Sequence, residues 1–93
     1  MSSHEHERVG ICLRCEIKVG LDAWSVAILQ DLSTHSFSVS RSPRWKVGAR
    51  VWIRLTDLEP LIGTVRWVTD GCAGCSFDKP LSPYVFEHLV RRP

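Results

Sequence analysis

From Val47 to Phe77 the chain alternates apolar and polar residues with the period of a β-strand. In residues 49–55, Val51, Ile53 and Leu55 alternate with Arg50, Trp52 and Arg54; in residues 61–67, Leu61, Gly63, Val65 and Trp67 alternate with Ile62, Thr64 and Arg66. A period of two places one set on a buried face and the other toward solvent, which predicts half-buried antiparallel strands. The chain opens the same way, with Ile11, Leu13, Cys15, Ile17 and Val19 alternating with Cys12, Arg14, Glu16 and Lys18. Gly20-Leu21-Asp22 predicts a turn. A second strand over residues 24–32 places Trp24, Val26, Ile28, Gln30 and Leu32 on one side. The polar cluster at residues 33–36 ends it, and Phe37 and Val39 begin a short third strand. Residues 42–48 form a loop punctuated by Pro43 and Gly48, residues 57–60 link strands four and five, and Asp70-Gly71 turns into a sixth strand ending at Phe77.

The tail changes period. Ser82 followed by Pro83 predicts an N-cap with proline at the first helical position. Val85, Phe86, Leu89 and Val90 then recur at helical spacing, with Arg91 and Arg92 suited to the negative C-terminal end. So short a helix is marginal alone and must pack its apolar face on the sheet. Six strands and one helix predict an all-β fold: a small six-stranded antiparallel barrel closed at one side or end by a short C-terminal α-helix.

Ninety-three residues hold one domain with one modest core, and 44% hydrophobic residues with four tryptophans argue for a folded globule. Residues 1–8 are polar and predict a flexible N-terminal arm, with residues 9–93 as the single domain. Net charge is only +2, too small an excess for a DNA- or RNA-binding protein. Nine arginines against three lysines change that picture slightly, since guanidinium suits bidentate contacts to phosphates and purine edges. No apolar run approaches the ~20 residues that span a bilayer. With no secretion signal at the N-terminus, a cytoplasmic location and reduced cysteines are expected.

Two cysteine pairs, Cys12-x-x-Cys15 and Cys72-x-x-Cys75, have the spacing of a four-thiolate zinc site. Residues three apart on a strand face opposite sides, however, so each pair would be split and Cys15 and Cys75 would enter the core. Cysteine as a small hydrophobe is the better reading, with no metal and no cofactor; a zinc-stabilised β module stands behind it. Trp52 shares its outward face with Arg50 and Arg54, which suits cross-strand cation–aromatic packing or a protein-docking patch. Trp45 is placed to cover the barrel mouth, and His35 to sit in the loop. Paired carboxylates, a glycine-rich phosphate loop and a glycine-flanked nucleophilic serine are all missing, so a non-enzyme with no catalytic residues is predicted.

The order of these parts, with Asp31-x-Ser33-x-x-Ser36 between strands two and three, resembles the PilZ domain family of bacterial cyclic-di-GMP receptors. The likeness runs from about Arg8 to Val90. It is most specific in Leu29-Gln-Asp-Leu-Ser33, Val47-Gly-Ala-Arg-Val-Trp-Ile-Arg-Leu55 and Gly74-Cys-Ser-Phe77. The resemblance implies a six-stranded barrel that recognises its ligand through an N-terminal Arg-x-x-x-Arg arm and an Asp/Asn-x-Ser-x-x-Gly motif. Arg8 then matches the second arginine of the arm, and His4 stands where the first would be. Asp31 and Ser33 match the second motif, and Ser36 replaces its glycine.

Arginine fits the O6/N7 edge of guanine with two donors, a carboxylate such as Asp31 accepts from N1 and N2, and Ser33 can bond phosphate or hold the turn. Histidine, mostly neutral at pH 7, cannot present arginine's fork, at a cost of roughly 1.5–3 kcal/mol. Serine in a left-handed conformation would cost a further ~1–2 kcal/mol. Together the two departures weaken binding by roughly two orders of magnitude. The expected function is a second-messenger signalling domain that clamps cyclic-di-GMP between the arm and the Asp31/Ser33 loop, with Arg8, Asp31, Ser33, Ser36 and His4 as ligand-binding residues. It would act with a protein partner through an exposed barrel face. The alternative is a degenerate PilZ-like adaptor that contacts a protein without the nucleotide. No feature of the pattern fixes an oligomeric state or a downstream process.

Overall fold

The computed structural model describes residues 8–40, 45–55 and 59–91. Six strands form: β1 (Val9–Val19), β2 (Ser25–Leu32), β3 (Ser36–Ser40), β4 (Arg50–Arg54), β5 (Leu61–Thr69) and β6 (Cys72–Phe77). One helix, α1 (Pro83–Val90), follows them. The strands close into an antiparallel barrel in the order β1-β2-β3-β6-β5-β4, with β4 pairing back onto β1. Every strand pairs with two neighbours, with the short β4 joining residues 16–19 of β1 to residues 61–64 of β5.

The inward residues of the alternating pattern make the core. Cys15, Ile17, Ala27, Leu29, Phe37, Val39, Val51, Ile53, Val65, Ala73 and Cys75 are all buried inside the barrel. Phe37 and Phe77 meet with ring centroids 4.8 Å apart at a tilt of 39°. Trp45 is also buried in this cluster. The β5–β6 turn uses Asp70 and Gly71 at φ of 50° and 80°, the left-handed pair that a two-residue hairpin needs. The Ser82 hydroxyl caps α1 by accepting the Val85 N–H at 3.1 Å, and Leu89 carries the helix into the core. Two backbone bonds, Phe77 N–H to His35 O and Leu81 N–H to Thr34 O, tie the segment before the helix to the corner between β2 and β3.

Strict alternation fails at three bulges, in β1 between Gly10 and Leu13, in β2 between Leu29 and Asp31, and in β5 between Val65 and Trp67. An extra residue shifts the phase of everything beyond it. Leu32 therefore turns into the core while Val26 and Ile28 stay outside, contrary to the single face predicted for them. Trp67, predicted to share the inner face with Val65, stands outside at 41% exposure, and Val68 takes the inner place opposite Ala73.

Gly63 of β5 lies close against β6: a Cβ there would come 2.6 Å from the Ser76 carbonyl oxygen. Because that neighbour is backbone, the sheet itself would have to shift. Gly63→Ala is expected to lower stability by about 1–3 kcal/mol in urea unfolding, the usual range for overpacking. An unchanged midpoint would contradict this packing.

Candidate ligand site on the outer face of the barrel

The β2 bulge aims Asp31 outward, where it lies in a row of residues paired across five strands. Gly10 of β1 faces Asp31, Asp31 faces Ser38 of β3, Ser38 faces Gly74 of β6, and Gly74 faces Trp67 of β5. Two members of the row are glycines, and at Gly10, beside Asp31, the space a Cβ would take is open. The Trp67 indole lies over Gly74, where any Cβ would collide with the ring.

Ser38, only 3% exposed, donates its hydroxyl to Asp31 Oδ2 at 2.7 Å. Arg8, just before β1, brings Nη1 to 3.1 Å from Asp31 Oδ1, while its Nη2 donates to Ser36 Oγ at 2.8 Å. The Nη1 approach has ion-pair distance without hydrogen-bond alignment. Oδ1 is thus sealed from water and accepts no hydrogen bond. A buried carboxylate oxygen in that condition carries an unmet desolvation cost, which a ligand with a well-placed N–H would relieve.

The corner between β2 and β3 is built by Ser33. Its backbone N–H donates to the Ser36 carbonyl at 2.8 Å, and its hydroxyl accepts from the N–H groups of His35 and Ser36 at 3.2 and 3.0 Å. With the residue only 2% exposed, this hydroxyl holds the turn. Ser36 sits at the start of β3. Asp70 is the only non-glycine with positive φ among the described residues, so the left-handed conformation feared for Ser36 does not arise. Its hydroxyl instead lies 3.1 Å from Ser33 Oγ and receives Arg8. His35 Nδ1 is 3.0 Å from Thr34 Oγ1, and His4 lies outside the described residues.

The structure thus brings Arg8, Asp31, Ser33 and Ser36 together. Two neighbours that sequence reasoning did not assign to the site join them: Ser38, which orients the carboxylate, and Arg66, whose Nε donates to Ser76 Oγ at 2.9 Å on the same outer face. Position 38 does carry a signal in the sequence, a serine two residues beyond Ser36 on a strand. Arg66 reads there only as one more outward arginine.

A match to the family model for the PilZ domain spans residues 3–92. The chain belongs to the PilZ domain family. Membership makes it a domain of cyclic-di-GMP-related signalling. No curated protein matches the sequence. Among solved structures, the Bacillus subtilis inhibitor of motility (MotI/DgrA) is similar in fold, with a TM-score of 0.67 at 13% identity. The alignment covers 98% of this PilZ chain and 49% of that one, so the chain spans about half the length of MotI/DgrA.

The other sequence candidates resolve differently. Each Cys-x-x-Cys pair is divided, with Cys15 and Cys75 buried in the core, Cys12 exposed and Cys72 half-buried. No three potential metal ligands converge among the described residues. On the β1–β4 face, Lys18 rather than an arginine lies over Trp52, at 5.4 Å, and Arg54 stacks on Trp24 at 4.1 Å. Arg50 and Arg54 are also ion-paired, with Asp78 and Glu16 respectively. This face of the PilZ barrel is largely satisfied by its own contacts. Among the described residues no helix is long and apolar enough to cross a membrane.

Burial pushes the Cys15 thiol up to about 11, with the Glu16 charge adding to the effect, and burial alone pushes Cys75 up to about 12. Both thiols stay protonated in the fold while unfolded ones ionise near 9. The native state then binds more protons than the unfolded state between those values, so stability falls as pH rises through that window. At pH 8 an aromatic disulfide reagent is expected to label Cys12 in the native PilZ domain, and Cys15 and Cys75 only on unfolding. Rapid native labelling of either core thiol would contradict their burial.

Proposed function

We propose that this PilZ domain is a non-catalytic receptor that clamps cyclic-di-GMP between the Arg8 segment and the Asp31 corner. The observation that carries this reading is the water-excluded, unbonded Oδ1 of Asp31 beside the Arg8 guanidinium. Guanine supplies what that oxygen lacks, since its N1–H and N2–H₂ groups form a donor edge that a carboxylate can accept. Arg8 can turn from Asp31 toward the O6/N7 edge or toward a phosphate, because the pair it leaves is partly exposed and such pairs are worth little. Ser38 fixes the carboxylate, and Ser33 shapes the corner that presents Ser36.

Of the two departures from the family motif, the one at Ser36 imposes no backbone strain and contributes a hydroxyl. The departure at His4 removes one charged donor, worth about one to two orders of magnitude in affinity. No covalent step is asked of these residues. Binding of the second messenger would take place in the cytoplasm and be read out by a protein partner.

Calorimetric titration tests this directly. Cyclic-di-GMP is expected to bind the wild-type chain, with Asp31→Ala and Arg8→Ala each weakening it tenfold or more. Absence of heat and of amide chemical-shift changes at millimolar ligand would remove the receptor reading and leave a nucleotide-independent adaptor.

A further inference from the structure

We propose that Arg66 supplies the second guanidinium of the ligand site, in place of the arm arginine whose position His4 occupies. A phosphate of the dinucleotide would seat on the Ser36–Ser76 pair between Arg8 and Arg66. This inference rests on the receptor reading above and extends it to a part of the barrel that the arm and corner motifs do not include.

The geometry comes from strand pairing. Ser36 of β3 lies directly opposite Ser76 of β6. The Phe77 N–H bonds the His35 carbonyl, one residue beyond the pair on each strand. Ser36 and Ser76 are therefore a non-hydrogen-bonded pair, the kind whose Cα atoms stand only about 4.5 Å apart with side chains on one face. Each hydroxyl already receives a guanidinium: Arg8 Nη2 donates to Ser36 Oγ at 2.8 Å and Arg66 Nε to Ser76 Oγ at 2.9 Å. Two arginines thus approach one pair of adjacent hydroxyls from opposite sides. Arg66 takes the outward place that follows Val65, and the β5 bulge sends Trp67 outward beside it instead of into the core.

Charge points the same way. Arg8 shares its charge with Asp31, Arg50 with Asp78 and Arg54 with Glu16. Arg66 has no carboxylate partner among the described residues, and only its Nε is engaged. Its two Nη groups are donors available to an anion, in the planar fork that suits phosphate oxygens. A ligand with two phosphodiester charges would gain little from Arg8 and Asp31 alone, whose charges cancel. Arg66 leaves that outer face net positive.

The test is calorimetry with cyclic-di-GMP on the full chain, with Arg66 Nε–H followed by NMR in the wild type. Arg66→Gln is expected to weaken binding about 10- to 150-fold, the range for a lost charge-assisted hydrogen bond. Arg66→Lys should fall between it and wild type, because lysine keeps the charge without the fork. His4→Arg placed in the Arg66→Gln background should restore much of the loss, and the wild-type Arg66 Nε–H resonance should move on titration. Wild-type binding with Arg66→Gln within twofold of it and a stationary Arg66 resonance would overturn the inference while leaving the receptor reading intact. No wild-type binding at millimolar nucleotide would overturn both.

Discussion

The candidate site depends on how one carboxylate is held. Asp31 stands on the outer wall of a closed barrel, fixed on one oxygen by a nearly buried serine and faced on the other by a guanidinium that does not align with it. A folded protein seldom leaves a sealed carboxylate oxygen without an aligned donor, and the Arg8 charge offsets its lost hydration only in part. The same wall is otherwise made of glycine and serine, so what stands out from it is either charged or aromatic. The polar chemistry of the candidate site lies on the outside of the barrel, and the inside is ordinary hydrophobic packing.

Bulges shape the candidate site on that wall. A regular six-stranded barrel alternates without exception, and its outer residues follow from the inner ones. The irregularities in β1 and β2 both adjoin the Asp31 pairing, and the one in β5 sends Trp67 outward beside Arg66. Local breaks in a ladder re-aim side chains at modest cost when the neighbouring pairs remain intact. Here Gly63 and Phe77 keep β5 and β6 in register below the break, and the Asp70-Gly71 turn holds them above it.

This also explains what could be read from the chain and what could not. Six strands, the capped helix and the inward places of Cys15 and Cys75 follow from period, capping and turn chemistry, and the grouping of Asp31 with Ser33 and Ser36 from the resemblance to the family motif. The faces of Leu32 and Trp67 do not, because a bulge adds one residue without any compositional mark, and a phase error of one exchanges inside for outside. Ser38 and Arg66 escaped notice for a related reason. Each is an unremarkable strand residue until pairing across β3, β6 and β5 sets it beside a partner far away in sequence. The replacement of the motif glycine by Ser36 was legible as a departure, yet its consequence needed the backbone: the residue has an ordinary strand conformation and spends its hydroxyl on Arg8.

The proposed recognition turns on Asp31 Oδ1 accepting from the donor edge of guanine. Proton NMR of the bound nucleotide reads that contact directly through the guanine N1–H. A guanine imino resonance protected from solvent exchange in the wild-type complex, and absent with Asp31→Ala at saturating ligand, is expected. A bound nucleotide whose imino protons exchange freely in both would contradict it.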